Sequence, residues 1–304
     1  MIAVVTACAL LLMQAAPQGR GGQAEPAVTA VQLKGAIDNL GKFEAPTRTA
    51  AARTVRRAAP AQAVPALMEA AKEHADGYVR FRALVLLSGF NDPRARDVML
   101  AALDDPNDRL RAVAYSYFEH NPEPGMAARL LKALNKEESE FVRPALTRAL
   151  AAYGTDPAVR TAMSGLVMRG QDLFRSAVIE ALGDYHAAYA VAPLMDVAKL
   201  DGPLQEDAVL GLGKIGDKRA LEVLAALQKT APRVRQPAIA TGICLLGINC
   251  ASHQKFVVDT LVFAMKNPGF QDLLRAAARA LGTLAAAGGI LNIFAADASA
   301  EASG

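Results

Sequence analysis

The sequence predicts an all-α fold, a tandem array of about eight stacked helix pairs. Three observations lead there. Ala fills 64 of the 304 positions, Trp is absent and aromatics make up 5%. So few bulky side chains cannot fill one large close-packed core, whereas Ala favours helices. An arginine returns at a nearly constant interval along most of the chain. Apolar residues follow helical spacing, with no stretch of sustained strand alternation. Hydrophobic content of 52% and charged content of 21% exclude a disordered or collagen-like chain. A net charge of +3, from 33 basic and 30 acidic residues, is too mild to mark a nucleic-acid binder.

Residues 1–24 read as a signal peptide and linker. Ile2 to Met13 is a nearly unbroken apolar run, too short to span a bilayer as a helix but suited to a secretory core segment. Small residues offer cleavage after Ala16 or Ala24, although nothing basic precedes Ile2. The alternative is a buried or frayed helix. Val5-Thr6-Ala7-Cys8 loosely resembles a lipoprotein signal, but apolar residues follow Cys8 where a polar start is needed. The expectation is therefore export, to a periplasm or beyond, with a cytoplasmic chain if this segment is retained. No other segment reaches membrane-spanning length without charge. Residues 25–39 then read as linker and N-terminal capping helix, with the helix over Val31–Phe43.

The array occupies residues 40–290. Its marker positions are Arg48, Arg80, Arg111, Arg143, Arg175, Glu206, Arg235 and Arg275, separated by 32, 31, 32, 32, 31, 29 and 40 residues. A small residue follows each two or three positions later: Ala50, Ala83, Ala114, Ala145, Ala177, Ala208, Ala238 and Ala277. A periodicity of this length is the signature of stacked supersecondary units. Each unit reads as a first helix running from the Arg to a Gly or polar break, as in Arg175–Gly183, then a turn and a second helix. Asp92-Pro93 and Asp156-Pro157 suggest an N-cap followed by proline in the first helical turn. The second helix is amphipathic: Ala127, Leu130, Leu131 and Leu134 share one side, Arg129 and Lys132 the other. Residues 291–304 leave the pattern and read as a C-terminal cap and frayed tail.

The recurring Asp/Glu-x-x-Val/Leu/Phe-Arg-x-x-Ala opening resembles the HEAT repeat, in the short bacterial form first associated with phycobilin lyases. The resemblance spans about residues 40–287. It implies a right-handed, armadillo-like α-solenoid with first helices on the convex face and second helices on the concave face. Such pairs bury their apolar faces only by stacking on neighbours.

The arginines Arg48, Arg80, Arg111, Arg143, Arg175, Arg235 and Arg275 read as a structural ladder. An acid precedes four of them by three residues (Asp108, Glu140, Asp172, Asp272) and Arg80 by four (Asp76). That spacing suggests a capping acid with the Arg one turn on, its fork holding that acid or an adjoining unit. The alternative is a stripe for anionic ligands. The dense cluster Arg48, Arg53, Arg56 and Arg57 reads as a solvated helix face, with an acidic partner or membrane as alternative. The seventh unit is enlarged: Gly247 follows Arg235 by twelve residues, which adds a turn to the first helix, and Ile248–Gln254 forms a longer connection. Cys244 and Cys250 lie there, as a candidate disulfide in an exported chain or as two buried thiols.

No cofactor or metal set emerges. His74, His120, His186 and His253 share no repeat position, and His186 reads as turn surface. The HEAT-like deoxyhypusine hydroxylases hold iron with repeated His-Glu pairs; here the order is reversed, Glu73-His74 and Glu119-His120, in only two copies. The reading is a non-enzymatic protein-binding scaffold. The alternatives are a HEAT-like enzyme or accessory subunit, lyase-like or hydroxylase-like, and then a nucleic-acid binder. Candidate contacts on second helices are Arg94, Asp97, Arg129, Lys132, Arg160, Lys199, Arg219 and Lys255; mostly basic, they suggest an acidic or mixed-charge protein partner.

Overall fold

The computed structural model describes residues 27–287. The leader reading of residues 1–24 and the cap reading of 291–304 lie outside them. The described residues hold sixteen α-helices, three short 3-10 turns and no strand. The chain divides into two compact units, the first ending at Phe90 and the second starting at Asn91.

The first unit contains α1 (Ala30–Asn39), α2 (Ala45–Arg57), α3 (Pro60–Glu73) and α4 (Gly77–Ser88). A capping box opens α1: Gln32 N–H donates to Thr29 Oγ1 at 3.2 Å while Thr29 N–H donates to Gln32 Oε1 at 2.9 Å. Helix α1 packs on α2 and α3, and α3 on α4. Leu33, Ile37, Leu40, Val55, Leu67, Leu84 and Leu87 are buried between them.

The second unit continues with α5 (Ala95–Ala102), α6 (Asp108–His120), α7 (Met126–Leu134), α8 (Arg143–Ala152), α9 (Pro157–Leu166) and α10 (Asp172–Asp184). It ends with α11 (Val191–Lys199), α12 (Gln205–Ile215), α13 (Leu221–Thr230), α14 (Gln236–Leu245), α15 (Cys250–Lys266) and α16 (Gln271–Ala286). The even-numbered helices carry the marker positions, Arg235 sitting in a 3-10 turn at the head of α14. Each packs on the helix before it, as in α5/α6, α7/α8 and α11/α12, while α9 and α15 pack on the marker helices to either side. The marker helices also pack on one another in succession, α6 through α16. Their buried stripes, among them Leu110, Phe118, Leu146, Leu150, Val178, Leu182, Leu212 and Ile243, form the core. Of the small repeat residues, Ala83, Ala114, Ala208, Ala238 and Ala277 are buried, whereas Ala50 is exposed.

Two local expectations are corrected. Asp156-Pro157 caps α9 as read, Asp156 Oδ1 accepting from Ala158 N–H at 2.7 Å. Asp92-Pro93 instead forms a turn ahead of α5, whose N-cap is Arg94. The seventh unit's extra length lies in its second helix: α14 has ten residues, α15 seventeen. Gly247 (φ 80°) and Asn249 (φ 44°) make a left-handed break that ends one helix and lets the next begin at Cys250.

Candidate protein-binding surfaces

The ladder arginines are mostly consumed by the backbone. Arg48, Arg80 and Arg111 each reach carbonyls five and six residues back, in the loop that leads into their own helix: Lys42 O at 2.8 Å, His74 O at 2.9 Å and Asp105 O at 2.8 Å, with Phe43, Ala75 and Pro106 beside them. Arg175 donates to Val167 O at 2.9 Å and Asp172 at 3.1 Å. Arg235 reaches back one repeat, to Gly202 O at 3.1 Å, Gln205 and Asp201. Arg143 lies 3.8 Å over the ring of Phe174 in the next repeat, and its buried Nε has no hydrogen-bond partner in the described structure. Arg275, largely exposed, holds Asp272 alone among the described residues. Of the preceding acids, Asp76 is an N-cap, while Asp108, Asp172 and Asp272 lie inside the first helical turn, where their charge is favourable at the positive end of the helix dipole.

This arrangement sets a difference between two rungs. Arg175→Ala removes two bonds from a side chain 17% exposed and should lower stability by about 1–3 kcal/mol. Arg275→Ala loses one exposed pair, worth about 0.2–1 kcal/mol. Urea unfolding of both variants checks this; equal losses would undo the distinction between braced and solvated rungs.

Within the second unit the marker helices form the inner layer. Tyr185 Oη, following α10, donates to Glu119 of α6 at 2.8 Å, past the intervening α8. Arg148 of α8 joins the same cluster, donating to Glu119 at 3.2 Å and to Asp184 at 2.7 Å, and Lys214 of α12 reaches Asp184 at 2.7 Å. Burial opposes ionisation of Asp184, but the bonds from Lys214 and Arg148 outweigh it and hold the carboxyl below its usual range. Farther on, Arg279 of α16 bonds Asp207 of α12 past α14, with Glu206 3.7 Å away. Burial pushes the Glu206 carboxyl up. Side chains can meet across an intervening helix only on the inner side of a bend. The resemblance implied the opposite placement of first and second helices, and these bonds correct it.

Of the eight candidate contacts, Arg94 is the N-cap of α5, Arg219 sits in the 3-10 turn ahead of α13 and the other six lie in second helices; most are already paired. Arg94 grips Asp92 through two bonds, 2.9 and 2.7 Å, and holds its carboxyl at about 2. Arg219 grips Asp217 in the same way. Arg160 donates to Gly154 O at 2.7 Å. Asp97 meets Arg96, Lys199 meets Asp196 and Lys255 meets Asp259. Arg129 pairs with Asp104 at 2.7 Å and donates to Leu100 O at 3.0 Å. Lys132 alone of the eight has no partner among the described residues; neither has Lys136, just beyond α7, which the sequence reading passed over. The Asp-x-Arg spacing at 92–94 and 217–219 was the readable sign of self-pairing.

Other polar groups are local. His74 Nδ1 accepts from Asp76 N–H at 3.0 Å, and its Nε2 lies 3.5 Å from Asp38, beside a cleft of about 570 Å³ between α1 and α3. His186, in a left-handed turn, bonds Lys214 O at 2.6 Å. Among the described residues no three His, Cys, Asp or Glu side chains gather as a metal site, and no helix is long and apolar enough to cross a membrane. Cys244, near the end of α14, and Cys250, at the start of α15, are joined as a disulfide packed near Ala280, Leu281 and Leu284 of α16.

Stacked helix pairs, a recurring arginine and side chains braced from repeat to repeat define a helical-repeat protein. Residues 33–119 match the HEAT repeat model and residues 204–230 the PBS lyase HEAT-like repeat model. These two segments are HEAT-type repeats, and the described helices have the α-solenoid architecture of such arrays. No curated protein sequence matches it. Among solved structures it is similar to YibA of Escherichia coli, at 18% identity and TM-score 0.50 over 72% of this chain and 81% of that one. It is similar also to Kap95p, in a complex with RanGDP, at 13% identity and TM-score 0.51 over 79% of this chain and 35% of that one. A third likeness is the CpcE–CpcF complex of phycocyanin lyase from Nostoc sp. PCC7120, at 18% identity and TM-score 0.44, covering 86% and 97%.

Proposed function

We propose that this chain is a non-enzymatic protein-binding scaffold, exported to a periplasm or beyond, that holds its partner on the second-helix layer. The observation that carries this is the division of labour between the layers of the second unit. Polar groups of the inner layer are spent on one another, through Glu119, Arg148, Asp184, Tyr185 and Lys214, whereas α7 and the turn after it offer two cations, Lys132 and Lys136, with no partner among the described residues. The Kap95p likeness supports it by analogy of fold, since that protein was solved with a bound protein. Export rests on the apolar run from Ile2 to Met13.

The test is crosslinked affinity capture from the native cell envelope, with tagged protein expressed from its own start. The expected result is one dominant partner crosslinked to second-helix residues and a mature N-terminus near Pro17 or Glu25. An uncleaved N-terminus would remove the export reading. No partner, together with stoichiometric iron or zinc in the purified protein, would replace the scaffold with a metal enzyme.

A further inference from the structure

The groove beside α7 has features that the repeat does not require. Arg129, Lys132 and Lys136 stand at i, i+3 and i+7 and so share one side of the helix and its extension. They line a cavity of about 490 Å³ whose other wall is built by Leu103 and Asp104, at the end of α5, and by Tyr115 of α6. Ala128, Leu130 and Ala133 of α7 complete the lining, the two alanines leaving space beside it. Asp104 is the one acid of the lining, and Arg129 already holds it. The cavity therefore keeps two uncompensated positive charges at its rim over apolar walls. Tyr115 adds no charge: its hydroxyl is tied to Glu137 at 3.3 Å. Lysines at a helix C-terminus also favour the helix dipole, which explains Lys132 and Lys136 without a ligand but does not explain the cavity between them and α5.

We propose that this groove docks an acidic peptide segment, its carboxylates at Lys132 and Lys136 and an apolar side chain between Leu103, Tyr115 and Ala133. The proposal rests on the scaffold reading and supplies its partner class. Charge complementarity selects the acidic character, and the walls select the apolar anchor. A nucleic acid fits less well, because a net lining charge of two neutralises few phosphates and offers little of the counterion release that drives such binding.

The experiment measures fluorescence polarisation with the full chain and a labelled twelve-residue peptide of Glu and Asp around a central Leu-Phe pair. A second peptide carries Ser in place of Leu and Phe. The intact protein should bind the first peptide more tightly than the second. Lys132→Glu with Lys136→Glu should weaken the first by about tenfold or more, and Lys132→Gln with Lys136→Gln by less. Thermal melting of each variant separates lost contacts from lost helix stability. A Lys-for-Glu version of the peptide should bind the Glu variant better than the intact protein. Full affinity in the Glu variant, equal binding of both peptides, or tighter binding of a labelled DNA duplex through the same lysines would overturn the proposal. The two readings also separate. A cellular partner whose crosslinks avoid α7 leaves the scaffold standing and removes the groove. Peptide binding in vitro without any partner in the envelope does the reverse.

Discussion

Glu137→Ala should cost the second unit about 3 kcal/mol, the low end of the ~3–5 kcal/mol typical when one member of a buried ion pair is removed. Glu137 sits between α7 and α8 with its side chain 2% exposed, while that of Arg111 keeps 19%. Two bonds of 2.8 and 2.7 Å join them, and Ser139 N–H and Tyr115 Oη donate to the same carboxylate at 3.1 and 3.3 Å. Removal takes the acceptor from two guanidinium N–H groups, an amide and a phenol at once; the partial exposure of Arg111 and its remaining bonds to the Asp105 and Pro106 carbonyls keep the loss at the lower end. Glu137→Leu combined with Arg111→Met removes both charges and should recover much of the loss. The effect has a definite pH signature. The bonds from Arg111 hold the Glu137 carboxyl below its unfolded value near 4.5. Its stabilisation is therefore complete above that value and fades as pH falls through the lower folded one. Melting curves at pH 7 and pH 3 should show the gap between Glu137→Ala and the intact protein narrowing in acid. A gap that stays constant would mean that the carboxylate's charge contributes nothing.

Gly213→Ala is expected to be nearly as damaging for an opposite reason. A methyl on Gly213 would stand 2.7 Å from Gly242 Cα and 3.0 Å from Gly242 O, so α12 and α14 touch backbone to backbone there. No rotamer relieves that collision, and the helices must part. Overpacking costs about 1–3 kcal/mol, and the upper end applies because the atoms met are backbone. The gain in helix propensity, about 0.5–1 kcal/mol, offsets only part, leaving a net loss of about 2 kcal/mol. Gly282 of α16 has nothing within 4 Å of its absent Cβ, so Gly282→Ala should be neutral or slightly stabilising. Chemical unfolding of both variants decides the matter; a neutral Gly213→Ala would mean that α12 and α14 are not held at this separation.

The same two sites mark where sequence reasoning succeeds and where it stops. The repeat was legible because much of its signal is local: Arg48, Arg80 and Arg111 bond carbonyls five and six residues away, so the same demand returns in each of these three units. Ordering the helices into layers was not legible. It depends on which backbones meet: Gly213 and Gly242 stand 29 residues apart, at the repeat's own step, but that spacing does not say which helices touch backbone to backbone. Bonds between Tyr185 and Glu119, or Arg279 and Asp207, join residues 66 and 72 apart, two repeats and not one. The candidate binding face was legible only as a set of surface charges. Which cations are already satisfied depends on neighbours such as Asp104, 25 residues from Arg129 and just past the end of α5. Lys136 escaped because it stands past the end of its helix, where the heptad-like pattern no longer points.

The bonds that leap a repeat also make the second unit an uneven spring. Each ties two inner-layer helices across a third, as a string ties the limbs of a bow. Straightening stretches such a tie, whereas curling slackens it. Pulled from its ends, this stretch of the chain should yield stiffly until a tie parts and then lengthen abruptly, while a partner that tightens its curvature would meet little resistance. The inner face of this unit therefore closes more readily than it opens, and the outer, second-helix face fans out as it does so.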